Sequence, residues 1–252
     1  MNESEKYTPF SYVEYRKIVE LFKPIIKDFS EINHGDDNYC LLRHDVEFLM
    51  DRAIRMAEID SDLGVQSSFF FQVMNSAYNP LSIENKNILK KILDFGHNIG
   101  LHLYLSHIDG QNPELVINEL NSQASILEMC LGKKIDRFSY HRPPKWALPL
   151  ALSEDTTLIN AYSDLFFEVL ENSNVPQKIK YFSDSNHNWS YGHPLEPNSY
   201  KCFQLCIHPD EWSEDGGDDI KNFSNILEVS KKNFMDNIDS EYKTFAKIRE
   251  YL

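Results

Sequence analysis

Residues 39–47 read YCLLRHDVE, an apolar run that breaks off into arginine, histidine and two acids. Four further segments follow the same pattern: GHNIGLHLY (96–104), RFSYHRPP (137–144), KYFSDS (180–185) and FQLCIHPDEW (203–212). Short apolar runs of this kind read as strands buried on both faces. Parallel strands of a β/α barrel present their C-terminal ends at one rim, so residues distant in sequence meet there. Reactive side chains at several strand ends therefore point to one shared site.

Helix-like segments separate these runs. Residues 11–27 carry a capping-box pattern (Ser11, Glu14) followed by apolar positions at helical spacing. Helices are expected at 49–63, stopped by Gly64, at 82–95, ending at Gly96, and at 113–131, with Pro113 in the first turn and Gly132 at the stop. Strands are expected at 39–45, 67–74, 99–103, 137–141, 158–161, 179–182 and 203–207. A short helix is expected at 145–152, and helices at 219–234 and 241–251 close the chain. Strands alternating with helices imply βα units and a parallel sheet. Seven strand candidates favour a closed or nearly closed α/β barrel, TIM-barrel-like, with helices outside. No GxGxxG or Walker loop follows the first strand, which weakens nucleotide-binding alternatives.

The 252 residues are a normal length for one such barrel, and residues 1–252 are expected to form a single domain. A formal charge of -14 argues against nucleic acid and anionic membranes as partners. No apolar run is long enough to span a bilayer. The N-terminal ten residues lack the apolar stretch of a signal peptide, which makes cytoplasm the simplest location. Cys40, Cys130, Cys202 and Cys206 form no CxxC pair and read as buried free thiols.

At the strand ends, Asp45 and Glu47 stand at i and i+2, so both carboxylates face the mouth. Two close acids stay ionised only with a cation between them, unless one keeps a proton or caps the helix starting near residue 49. His102 lies within an apolar run and points inward, whereas His97, ahead of the strand, is expected at the surface. Imidazoles together with a carboxylate suit Zn²⁺; a core histidine bonded to a carbonyl is the other reading. Arg142 can hold a carboxylate bidentately and is a partner for Asp45, or lies on a surface turn. His208 emerges from an apolar run, placed as a general acid. Trp189 and Trp212 offer aromatic faces for a sugar, or plain packing.

Taken together, these segments resemble the polysaccharide deacetylase superfamily of carbohydrate esterases over about residues 39–212. The resemblance implies a distorted (β/α)7 barrel and metal-dependent N-deacetylation of a sugar or glycan precursor. It implies Asp45 as catalytic base, Glu47 and His102 as metal ligands, Arg142 orienting the base, and His208 as the acid. More loosely it implies Asp184 and Trp189 around the substrate. The chain departs from the family where Asp45-Val46-Glu47 replaces adjacent aspartates, and where Ser106 replaces the second histidine. His141 is expected to fill that place, with His107 and His44 as alternatives. The divergence looks like a subfamily associated with intracellular surface-glycan biosynthesis. The expected cofactor is a divalent metal, with zinc the default. Two other functions remain open: a catalytically silent carbohydrate-binding barrel, and another metal-dependent amidohydrolase or phosphoesterase.

Overall fold

Burial on both faces is what an apolar run in a parallel sheet requires, and all eight residues of β1 (Tyr39–Val46) are buried. The structure, a computed structural model, describes residues 7–108, 112–148, 157–168 and 178–249. Around β1 the chain alternates α1 (Tyr12–Phe22), α2 (Met50–Asp62), β2 (Ser68–Phe71), α3 (Ile83–Asp94), β3 (Asn98–Tyr104), α4 (Pro113–Leu131) and β4 (Arg137–His141). Then follow β5 (Ile159–Asn160), β6 (Ile179–Ser183), β7 (Cys202–Ile207), α5 (Asp219–Glu241) and α6 (Phe245–Ile248).

The strands form one seven-stranded sheet in the order β5-β4-β3-β2-β1-β7-β6. Every paired neighbour is parallel. The sheet curls into a half-barrel with β5 and β6 as its two edges, consistent with a distorted (β/α)7 barrel. The β1 register sets Asp45 beside Phe70 and His44 beside Ile207, and the β3–β4 register sets His102 beside Ser139. All the strands therefore end at the same rim.

The sheet divides the interior in two. On the concave side Phe29, Tyr39, Leu41, Phe70, Phe166 and Ile179 form a small apolar cluster. On the convex side a larger cluster joins the sheet to the helices. Gly100, on β3, makes room on the concave side. A Cβ there would lie 2.6 Å from Arg137 Cγ and 2.7 Å from the Phe70 ring.

Local signals explain the element ends. Asn112 caps α4 through Glu114 N–H, and Gly132 ends it at φ 71°. Ser11 caps α1, but Glu14 accepts from Phe10 N–H at 2.5 Å, so the expected capping box does not close on Ser11. The strand expected at 67–74 stops at Phe71, because Gln72 N–H donates to the Tyr78 hydroxyl at 2.8 Å instead of to a neighbouring strand. Residues 145–148 form turns and not a helix, and 149–152 lie outside the described residues. The helix expected to stop at 234 runs on to Glu241, and α6 occupies only Phe245–Ile248 of the expected 241–251; residues 250–252 lie outside the described residues. Among the described residues no helix is long and apolar enough to cross a membrane. The four cysteines are buried free thiols.

Candidate metal centre and active site

Alternation along β1 sends Arg43, Asp45 and then Glu47 to the concave side and the rim. Glu47 Oε1 lies 2.8 Å from His141 Nδ1 and 3.4 Å from His102 Nε2. The three side chains offer ligand atoms within 4.8 Å of one another. One carboxylate and two imidazoles form a donor set that suits a borderline divalent cation.

Hydrogen bonding behind the cluster fixes which histidine nitrogen faces it. The Ser139 hydroxyl donates to Asp45 Oδ1 at 3.3 Å, so its oxygen accepts from His102 Nδ1–H at 2.7 Å. A neutral His102 with its proton on Nδ1 turns an Nε2 lone pair toward a carboxylate oxygen. Two lone pairs facing each other repel unless a cation lies between them. His141 Nδ1 repeats the conflict, because it faces both Glu47 Oε1 and the Gln72 amide nitrogen, the latter at 3.3 Å. A lone pair on a metal removes the need for that nitrogen to donate and accept at once. The donor set thus fits a metal.

Asp45 stands beside this cluster, 3.8 Å from His102 Nδ1. Arg43 Nη2 donates to its Oδ2 at 3.1 Å and to the Tyr162 hydroxyl at 2.7 Å. Burial pushes the Asp45 carboxyl up, but the Arg43 guanidinium, with His102 and His208 beside it, outweighs burial and leaves its pKa below the ordinary value. Burial also pushes Glu47 up, and the His102 and His141 rings beside it hold it far below the usual carboxylate range.

Arg43 replaces the arginine expected from the resemblance. Arg142 is exposed, at φ 46° on the turn that Pro143 and Pro144 follow, and Asp45 takes its guanidinium from its own strand. The signal was present in the sequence, since Arg43 is two residues before Asp45 and shares its face. The same step of two finds Ser139 from His141 and Cys206 from His208.

His208 closes the other flank. Its Nδ1 meets Asp184 Oδ1 at 2.6 Å, and its backbone N–H also donates to Asp184. Burial works against a charged ring here, but Cys206, Asp184 and Glu47 outweigh it and raise the His208 pKa well above its ordinary value. Asp45, Cys206 and His208 form a second group of ligand atoms within 4.8 Å. A guanidinium on Asp45 and a carboxylate on His208 Nδ1 already serve that group, so the Glu47 group is the better cation site.

The residues expected to contact sugar lie around and behind His208. Asp184 is fully buried, and its oxygens are taken by His208 and by Trp212 Nε1–H at 2.6 Å. Trp212 is itself fully buried, tilted against Phe10 and edge-on to Tyr15. Trp189 is half-buried and packs against Phe10, His193 and Trp212. Asp184 thus holds His208, and the tryptophans fill the wall behind it. The alternative ligands are also elsewhere. His107 pairs with Glu119 at 3.4 Å on the surface, and His44 turns to the convex side and bonds Tyr15 at 2.7 Å. His97, expected at the surface, is buried, with Nε2 2.9 Å from the Ala57 carbonyl.

Neither a protein-family model nor a curated protein matches the sequence. Solved structures similar to the chain include members of carbohydrate esterase family 4. They include a CE4 family pseudoenzyme from Bacillus anthracis, with TM-score 0.49 and 13% identity over 79% of this chain and 63% of that one. A Streptococcus mutans CE4 esterase aligns with TM-score 0.49 and 11% identity over 86% of this chain and 91% of that one. The peptidoglycan deacetylase PdaC from Bacillus subtilis aligns with TM-score 0.43 and 11% identity over 86% of this chain and 98% of that one. The chain thus spans less than two thirds of the pseudoenzyme's length.

Proposed function

We propose that the chain is a metal-dependent carbohydrate deacetylase that hydrolyses an acetamido group on a sugar or glycan precursor. The observation that carries this reading is the convergence of His141 Nδ1 at 2.8 Å and His102 Nε2 at 3.4 Å on Glu47 Oε1, with Asp45 alongside. Glu47, His102 and His141 would hold the cation, zinc by donor type. When bound, such a cation supplies Lewis-acid polarisation of the amide carbonyl and of water.

The remaining chemistry belongs to the chain. Asp45, kept ionised by Arg43, takes a proton from the attacking water as its oxygen bonds the carbonyl carbon. Ser139 and Arg43 fix the direction of the Asp45 lone pairs. His208, held through Nδ1 by Asp184, presents Nε2 and gives a proton to the nitrogen as the C–N bond breaks. The products are acetate and a free amine on the sugar.

The test is elemental analysis of untagged protein purified without chelators, followed by acetate release from N-acetylhexosamine derivatives. About one transition metal per chain, and acetate release lost on chelation and regained with zinc, is the expected result. A silent carbohydrate-binding barrel instead binds sugar with no acetate release when fully loaded. Phosphate released from sugar phosphates marks the phosphoesterase alternative. The altered first motif, Asp45-Val46-Glu47, is the observation that keeps the silent barrel in view.

A further inference from the structure

The segment that carries Glu47 is held by a residue that follows β7, the strand paired with β1. The first N–H groups of a helix lack partners within it, and a nearby side chain ordinarily caps them. Helix α2 has Leu49 at its N-cap position, which offers no side-chain acceptor. Asp210, 161 residues away from Leu49, instead binds the three residues that lead into the helix. Its Oδ2 accepts from Glu47 N–H and Phe48 N–H, each at 3.0 Å, and its Oδ1 accepts from Leu49 N–H. Two of these three N–H groups precede the helix cap, and one belongs to Glu47 itself.

The anchor is in turn anchored. Asp210 is 4% exposed. Arg52, on α2, donates through Nη1 to the Asp210 carbonyl and to Asn222 Oδ1, and through Nη2 to Asn225 Oδ1. From the other side, Asn75 donates to the Glu47 carbonyl at 2.8 Å, and the Tyr78 hydroxyl donates to the Val46 carbonyl at 2.9 Å. The peptide of Glu47 is thus gripped at both its N–H and its C=O before any ligand arrives.

We propose that Asp210 is the positioning residue for Glu47, pre-setting that carboxylate for metal through three consecutive backbone N–H groups. This rests on the reading of Glu47 as a metal ligand. Outer partners that orient a ligand typically contribute about 10–100-fold in metal affinity. Asp210 acts on the ligand's main chain, where a 1 Å shift of the peptide becomes a shift of the whole side chain.

Zinc affinity is measured on chelator-stripped protein by competition with a chromophoric chelator, for wild type, Asp210→Asn and Asp218→Asn. Asp218 caps α5 through Lys221 N–H at 2.9 Å, so its variant reports a loss of stability alone. Expected is a ~10–100-fold weaker zinc affinity in Asp210→Asn, acetate release that returns as zinc is raised, and unchanged affinity in Asp218→Asn. Wild-type affinity in Asp210→Asn overturns the proposal and leaves the functional reading standing. No zinc binding by the wild type overturns both. If Asp210→Asn does not fold, amide hydrogen exchange on metal-free wild type decides. Glu47, Phe48 and Leu49 amides protected like those of β1 uphold the proposal, and exchange at the rate of an open loop overturns it.

Discussion

The two faces of β1 carry the same residue types to opposite ends. On the concave face Asp45 is held ionised beside Arg43. On the convex face His44, one residue away, sits 4.1 Å from the Phe69 ring in a stack and bonds Tyr15. Tyr15 donates to Asp60 Oδ1 at 2.6 Å, Ser67 donates to Asp60 Oδ2 at 2.7 Å, and Ser67 reaches His97. Burial pushes the Asp60 carboxyl up to about 7 despite those two hydrogen bonds, and burial pushes His44 well below its ordinary value. The difference is a fixed cation. A buried guanidinium keeps one acid charged, and hydroxyls alone let the other approach neutrality. A buried acid–histidine cluster is therefore a candidate for chemistry when a fixed charge is held in it, and a structural network when hydroxyls alone serve the acid.

The sharpest way to break that comparison is to neutralise each acid in turn. Asp45→Asn is expected to lower acetate release about a hundred- to ten-thousand-fold, while Asp60→Asn leaves it near wild type. Equal losses from the two variants, or none from Asp45→Asn, would collapse the distinction. Next in size is Gly100→Ala, which forces a methyl against Arg137 and Phe70 on the concave side. It should cost roughly 1–3 kcal/mol in chemical denaturation, with β3 and its His102 the first to loosen.

A smaller effect sharpens the convex face. Asp60 has its folded pKa raised from 3.8 to about 7, so between those values the folded state binds the extra proton. Stability from this group is then present at low pH and is lost as pH rises through about 7. His44 and His97, both depressed mainly by burial, act in the opposite direction below their ordinary value of 6.5. The difference in thermal midpoint between wild type and Asp60→Asn isolates the acid and should shift in favour of the variant from pH 5 to pH 8. A difference that does not change with pH removes the claim. Smallest of all is His107→Ala, expected to leave bound metal and acetate release unchanged and stability within ~0.5 kcal/mol.

Much of this arrangement was legible where the signal is local. Helix α4 begins at Pro113 and ends before Gly132 as expected, and β4 spans Arg137–His141, because caps and strand stops are written in adjacent residues. Glu47, His102 and His141 converge because barrel topology brings strand ends together whatever lies between them. The arginine beside Asp45 was misread, although the period of two pointed to Arg43, because motif likeness drew attention to Arg142. The surroundings of Asp184 and Trp212 were illegible for a different reason. Their roles are set by each other and by Phe10 and Tyr15, contacts made across the fold that no window of sequence contains. Asp210 gave no signal either, since an acid after a proline reads as an ordinary turn residue.

The four sheltered thiols give the molecule a built-in clock. Cys40, Cys130, Cys202 and Cys206 are each 4% exposed or less, and burial pushes their pKa values up. A thiol reagent needs both access and thiolate, so labelling of the native chain waits on opening. Cys206, 3.5 Å from Asp45, dates the opening of the rim, while Cys130 on α4 dates the departure of a helix. Mass spectrometry of a single labelling time course therefore separates local breathing from global unfolding, with no engineered probe.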